Sequence, residues 1–396
     1  MTARERALEL VGPSPRLWLD LDAEADLERC GALKDFWYVA CLSRELGSGK
    51  PLARTIFSRP LVLFRGKEGG PVALRDRCLH RAAPLSGGKV QNGCLQCPYH
   101  GWTYDETGRV VEVPSLGPRQ RAEKLGGGEH KSASLCSSVE RIGSMPAYST
   151  LEQDGLVFVF MGGDRQRARR PPFQTPHWNE PGWRTYYMVT RFANGVTHLA
   201  ENFMDVPHTV FVHGGWFRRR KRKRVLATVR RGAGEVLITY HQPEDALAGL
   251  GRVLNPAGAP VIHTDHYFAP HVTQVDYAFG KRSGLCITSQ CTPVGPKDSW
   301  VYTAIGFRMP ADLPGAFLAR MLEPLLQWYT RRVITQDVDI MSAQATRLDG
   351  PMDANALLGT EADLPHRDIE SCRAWLSGGG EGEGPDPRER DVVLWI

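Results

Sequence analysis

Apolar residues along the first half of the chain come in short runs, with polar turn formers between them. Between residues 36 and 163 the runs include "RTIFSR", "PLVLFRG", "PVALRDR", "GRVVEVP" and "GLVFVFMG", broken by Gly, Pro and Asp. Strand-sized apolar stretches with turn signals between them predict a small all-β domain. "DETG" at 105–108 reads as a hairpin turn and "LGGGEHKSAS" at 125–134 as a loop. The charged, proline-containing stretch "GGDRQRARRPPFQTP" at 162–176 reads as a linker or crossover.

Beyond this linker the pattern mixes. Residues 194–206 are a helix candidate, and 224–308 hold strand-like runs such as "EVLITYH", "HVTQVDYAF", "LCITSQC" and "WVYTAIGFRM". Residues 313–347 carry Leu318, Met321, Leu322, Leu325 and Leu326 at three- and four-residue spacings, which predicts a helix. Residues 1–33 read as a polar N-terminal arm and "SGGGEGEGPDPRERD" at 377–391 as a flexible segment. The chain therefore reads as α+β, a small β domain followed by a larger mixed one.

Length and charge narrow this only modestly. With 396 residues the chain can form two domains with cores of their own. A net charge of +5, from 49 basic against 44 acidic residues, singles out neither a nucleic acid nor a membrane as partner. No apolar run approaches the roughly 18–20 residues that span a bilayer. The start "MTARERALEL" is not followed by the apolar core of a signal peptide, so the expected location is cytoplasmic.

Of the nine cysteines, only Cys78, Cys94 and Cys97 cluster, and clustered cysteines in a reducing compartment more often bind metal than form a disulfide scaffold. Cys30, Cys41, Cys136, Cys286, Cys291 and Cys372 read as small buried hydrophobes. Cys78-x-His80, then sixteen residues, then Cys97-x-x-His100 offers two thiolates and two imidazoles in two halves. That set suits one zinc or a two-iron, two-sulfide cluster in which thiolates bind one iron and imidazoles the other. The single residue between Cys78 and His80 favours the cluster, because classical fingers place at least two between paired ligands. Glycines at 87, 88, 93 and 101 let two loops close over a cofactor. Tyr99, Trp102 and Tyr104 are positioned to shield it. Cys94 completes a C-x-x-C without the βαβ setting of a redox dithiol and reads as a strand residue.

A second constellation lies at 201–213, "ENFMDVPHTVFVH". On a helix Glu201, Asp205 and His208 fall within about 60° of one face, whereas His213 lies about 140° from His208. Histidines five apart cannot share a metal on a straight helix, so this one must be distorted or must end, with Pro207 disturbing the preceding turn, Gly214–Gly215 the stop, and His213 returning from a kinked or terminal turn. Oxygen chemistry at an open iron site uses two histidines and one carboxylate, and the carboxylate must come from another segment.

The pattern Cys78-x-His80…Cys97-x-x-His100 followed by "GWTYD" resembles the Rieske domain of Rieske non-haem iron oxygenases. Respiratory Rieske proteins carry an extra cysteine in each loop, and "CLHRAAP" and "CPYHGW" have none. The family pattern Glu-x3-Asp-x2-His-x4-His also matches Glu201, Asp205, His208 and His213 without a gap. The resemblance runs from about residue 34 to 345 and is most similar to the dicamba and vanillate O-demethylase group.

The resemblance implies a Rieske [2Fe-2S] domain at 34–165 and a catalytic domain at 166–396, whose antiparallel sheet is flanked by helices. It implies that Cys78, His80, Cys97 and His100 hold the cluster and that His208, His213 and a late-helix aspartate hold a mononuclear Fe(II). "TQDVDIMSAQ" at 335–344 resembles that late segment. Asp337 aligns with the ligand, and Asp339 is its rival about 200° around the helix. Asp205 would bridge His100 of one subunit to His208 of its neighbour in a homotrimer. The implied reaction uses O2 and electrons from a separate NAD(P)H-dependent reductase or ferredoxin to hydroxylate or demethylate a small organic substrate. A cis-dihydroxylating dioxygenase is the near alternative. A Rieske electron carrier with no mononuclear iron is the alternative of another class, and a zinc hydrolase a third. Glu201 reads as a helix-holding or solvated carboxylate, and Asn202 as a group near the iron or a helix-surface amide.

His263, His266 and His271 in "VIHTDHYFAPH" read as strand, loop or pocket residues rather than ligands. "RRRKRKR" at 218–224 reads first as a solvated face, then as a docking surface for an acidic electron donor. Neither nucleic acid nor membrane is an expected partner.

Overall fold

The computed structural model describes residues 31–396 except 117–142, 163–164, 216–221, 242–253, 256–257, 281–282, 309–314, 348–358 and 381–383, with only the backbone given at 315–322. The N-terminal arm, Cys30, Cys136, the 125–134 loop and most of the basic run lie outside these residues.

The first part is all β among the described residues, apart from short 3-10 turns. Its strands are β1 (Trp37–Leu42), β2 (Leu52–Ile56), β3 (Arg59–Arg65), β4 (Pro71–Arg75), β5 (Lys89–Gln91), β6 (Cys94–Gln96), β7 (Thr103–Tyr104), β8 (Val110–Glu112), β9 (Ala147–Gln153) and β10 (Leu156–Phe160). They form a six-stranded sheet in the order β1-β10-β9-β4-β3-β2 and a small sheet β5-β6-β7-β8. The strands β1 and β10 are buried on both faces, which explains their continuous apolar sequences. Full burial of Phe64, Phe158 and Phe160 stabilises the domain by roughly 1.5–3 kcal/mol each. Cys94 lies in β6, as its surroundings predict, and "DETG" turns between β7 and β8, with Gly108 at φ +80.

The second part is an eight-stranded antiparallel sheet with helices. It comprises β11 (Trp183–Phe192), β12 (Arg224–Gly232), β13 (Glu235–His241), β14 (Val261–Phe268), β15 (Val272–Phe279), β16 (Ser283–Gly295), β17 (Asp298–Arg308) and β18 (Arg388–Trp395). The order is β11-β17-β16-β15-β14-β13-β12-β18. Its helices are α1 (Val196–Met204), α2 (His208–Phe211), α3 (Gly315–Ala345) and α4 (Leu364–Ser377). The helices α1 and α3 match the predicted 194–206 and 313–347 closely. The expected flexible segment 377–391 is corrected at its end, since Arg388–Asp391 pair with β12. The physical reason is the alternation that follows, with Val392, Leu394 and Ile396 buried and the residues between them exposed.

The two parts share a core. Tyr38, Ile56 and Leu61 pack in one cluster with Ala200, Met204, Val225 and Val229. Thr292 Oγ1 donates to Val39 O at 2.7 Å, and Tyr302 Oη to Ala40 O at 2.6 Å.

Candidate metal centres

The four N-terminal ligand candidates sit on two loops of the same design. Cys78 N–H donates to Ala83 O at 2.9 Å and Cys97 N–H to Trp102 O at 2.8 Å. Ala82 N–H returns to Cys78 O at 2.9 Å and Gly101 N–H to Cys97 O at 3.2 Å. The residue that closes each loop has positive φ, 55 at Ala82 and 74 at Gly101. Both cysteines are buried, while the imidazoles lie at the tip with ring centroids 4.6 Å apart.

Around the loops, Trp102 stacks on His80 at 4.9 Å and the exposed Tyr99 ring lies 3.8 Å from His100. The fully buried Tyr104 hydroxyl lies 3.2 Å from Cys78 Sγ and accepts Leu79 N–H at 3.0 Å. With that N–H on its oxygen, the phenol proton is free to point at sulfur. Burial and the Cys78 sulfur both hold the phenol in its protonated form. Backbone N–H groups of Tyr99 and His100 face Cys97.

These residues fit a cluster better than a single ion. Among the described residues only His208, His213 and Asp337 bring three ligand atoms within 4.8 Å of one another. The two loops spread theirs wider, as a binuclear centre with sulfur at one end and nitrogen at the other requires. Burial, with Cys78 alongside, pushes the Cys97 thiol up, and a bound metal would displace its proton.

In the second constellation α1 ends before the histidines. Asp205 is extended at φ -94, ψ 93, and Pro207 opens the short α2 from its N-cap position. Of the two expected outcomes, distortion or an end, the helix ends, with the break at Asp205. Proline still fits, because the first turn of a helix tolerates a missing N–H. The break sets the His208 and His213 rings 5.3 Å apart. The long helix α3 brings the third group. Asp337 Oδ1 lies 3.0 Å from His213 Nε2 and 3.4 Å from His208 Nε2. Asp337 is buried and Asp339 exposed.

Polar groups face the outer ring nitrogens of this triad. His213 Nδ1 lies 3.0 Å from Gln336 Oε1, and His208 Nδ1 lies 3.6 Å from Asp205 Oδ2. Sequence reasoning missed Gln336, whose signal was its place beside Asp337 in "TQDVD". Although both Nε2 atoms are close, Asp337 Oδ1 has no well-aligned hydrogen bond and is buried. Two imidazole nitrogens and one carboxylate oxygen converge, the donor set of an open non-haem iron site, so the residues fit iron. Burial disfavours a charged His208, but the carboxylates of Asp205 and Asp337 outweigh it and raise this imidazole to about 9. Burial likewise disfavours a charged Asp337, and the two histidines overcome it and hold the carboxyl below its ordinary range.

A cavity of about 150 Å³ reaches the triad. Asn202 lines it, and its buried Nδ2 has no hydrogen-bond partner, which favours the reading near the iron over a helix-surface amide. Glu201 instead lies 3.2 Å from His198 Nδ1. His263 pairs with Asp265 at 3.0 Å, His266 faces Glu235 at 3.4 Å, and His271 stacks on Tyr38. None joins a metal group among the described residues.

Two family descriptions match the chain: Rieske [2Fe-2S] domain over residues 36–132 and vanillate O-demethylase oxygenase C-terminal domain over residues 196–367. The oxygenase component of dicamba O-demethylase from Stenotrophomonas maltophilia is 35% identical over 184 residues, 46% of this chain and 48% of that protein. A putative toluene-4-sulfonate monooxygenase system iron-sulfur subunit from Comamonas testosteroni is 32% identical over 222 residues, 55% of this chain and 58% of that protein. The matches thus span about half the length of these curated relatives. Dicamba monooxygenase bound to 3,6-dichlorosalicylic acid shares the fold, with a TM-score of 0.68 at 24% identity over 89% of this chain and 99% of that one.

Proposed function

This chain belongs to the Rieske non-haem iron oxygenases, and on that premise we propose that it is a terminal oxygenase that hydroxylates or oxidatively demethylates a small, largely apolar organic substrate. The observation that carries the proposal is the convergence of His208, His213 and Asp337 at a cavity in the same chain as the paired Cys-His loops. A pure electron carrier has no use for the second set.

In this reading Cys78, Cys97, His80 and His100 hold the [2Fe-2S] cluster, and His208, His213 and Asp337 hold the iron. When bound, the cluster supplies single electrons and the iron a place to activate O2. The protein's own residues do the positioning. Gln336 holds the His213 ring through Nδ1 and the Asp205 carboxylate faces His208 Nδ1 at 3.6 Å, with both Nε2 atoms toward Asp337, where a metal would be held. The apolar cavity wall excludes bulk water and holds substrate beside the triad.

Asp205 also serves as the bridge to a neighbouring subunit's cluster. Supporting this, the His100 and Tyr99 tip is exposed and the Asp205 side chain is 28% exposed, so each half of the contact reaches the surface. The assembly is a homotrimer, and the location cytoplasmic. The sequence carries no nicotinamide or flavin fingerprint, so electrons come from a separate NAD(P)H-dependent reductase or ferredoxin.

The test is O2 consumption with a surrogate reductase over a panel of arenes, with product masses recorded. A gain of one oxygen or loss of a methyl group supports the reading. A gain of two oxygens and two hydrogens points to cis-dihydroxylation. No substrate-dependent uptake across the panel, with both metal centres loaded, overturns it.

A further inference from the structure

Strand register arranges the sheet side of the cavity wall in rows. Thr273 of β15 pairs with Ser289 of β16, which pairs with Thr303 of β17. All three line the cavity, so they form one continuous row of hydroxyls across three strands. Ser289 Oγ and Thr303 Oγ1 share a hydrogen bond at 3.2 Å. Two residues along each strand the same face carries Val275, Ile287 and Ile305 in one row, with Asp265 and Tyr186 at its two ends. The next row continues with Tyr277, Leu285 and Phe307.

The hydroxyl row lies at the metal end. Thr303 and Ser289 are each two residues from Val301 and Cys291, which cluster with Met341, Ile334 and Val338 of α3 around Asp337. Leu326, eleven residues and about 16 Å back along α3, packs against Leu285, Ile305 and Phe307 at the other end. One further carboxylate lines the cavity, Asp265 of β14, which pairs with Val275 one row on from Thr273. Asp265 is fully buried, accepts Tyr240 Oη–H at 2.8 Å, and lies 3.0 Å from His263 Nε2. Two partners leave lone pairs on its oxygens unused.

We propose that Thr273, Ser289, Thr303 and Asp265 select the substrate, and that its class is an apolar arene bearing a neutral hydrogen-bond donor, a hydroxyl or amine, rather than a carboxylate or sulfonate. The hydroxyl row gives and takes hydrogen bonds, and Asp265 only takes them. An anion brought beside a buried carboxylate meets like charge in a medium that screens it poorly. The arene body lies on the apolar rows, and its donor reaches the hydroxyl row beside the triad. This assignment rests on the oxygenase reading and names its ligand class.

The test is calorimetric titration of the metal-loaded protein, without reductant, with 2-naphthol, 2-methoxynaphthalene and 2-naphthoate. Naphthol binds about tenfold or more tightly than either of the others. In Ser289→Ala/Thr303→Val, naphthol affinity falls while methoxynaphthalene affinity stays. In Asp265→Asn, naphthoate gains affinity. Naphthoate binding as tightly as naphthol in the unaltered protein overturns the proposal, as does absence of binding by all three. The unaltered protein decides even if a variant fails to fold. If the binding order holds and no compound drives O2 uptake, the oxygenase reading falls and the assignment of the cavity wall stands.

Discussion

His213 Nδ1 donates to Gln336 Oε1 at 3.0 Å, and that bond turns the other ring nitrogen, Nε2, toward Asp337 with its lone pair free. A hydrogen bond behind a ligating imidazole fixes both tautomer and ring orientation. Replacing Gln336 by Leu removes the acceptor and leaves a buried N–H unpaired. Iron affinity at the triad then falls about 10–100-fold, with the visible absorption of the cluster unchanged. Chelator competition followed by iron analysis measures this, and an unchanged affinity would show that Gln336 only packs.

The choice between Asp337 and Asp339 becomes a counting experiment. Ligand counting gives about three irons per chain, two in the cluster and one at the triad. Asp337→Ala lowers the content to about two, while Asp339→Asn, at an exposed position, leaves it at about three. Cys97→Ser removes the cluster pair and leaves about one. A loss of iron in the Asp339 variant equal to that in the Asp337 variant would reassign the ligand.

What the sequence displayed and what it hid follow from local against long-range causes. The ligand spacings, the strands of the first domain and helices α1 and α3 were legible because each reports its own periodicity or its own turn. The exact break before His208 was not, since Pro207 is compatible with both a kink and a helix start, and Asp205 decides it by its extended backbone. Gln336 was hidden because its role exists only once α3 lies against α2, a contact over a hundred residues apart. Strand β18 was missed because its glycine- and acid-rich approach masked the alternation at Val392, Leu394 and Ile396.

A pH-dependent contribution to stability should reside in α1, away from both centres. The hydrogen bond that Glu201 accepts from His198 raises this imidazole above its ordinary value, and burial works against it. A raised folded-state pKa gives stabilisation that is complete below the unfolded value of about 6.5 and is lost as pH rises through the folded one. Glu201→Gln therefore destabilises the protein at about pH 6 and much less at about pH 8.5. Urea midpoints of the two proteins at both values test this, and an equal gap at both would assign the loss to packing alone.

The Tyr104 hydroxyl is placed to tune a cluster held by Cys78. It accepts Leu79 N–H at 3.0 Å and lies 3.2 Å from Cys78 Sγ, where a metal-bound thiolate, with no proton of its own, would accept the phenol's. A donor aimed at a ligating sulfur stabilises the reduced, more negative state, so it raises the reduction potential. Tyr104→Phe keeps the buried ring and deletes that donor, and the potential of the cluster falls. Leu79 N–H loses its acceptor in the same variant, so some loss of stability accompanies the shift. A potentiometric titration followed by the reduced-state paramagnetic signal separates the two, because a purely structural role changes the melting temperature and leaves the midpoint potential in place. Slower reduction by a weak donor should accompany the lower potential, with substrate affinity at the triad cavity unchanged.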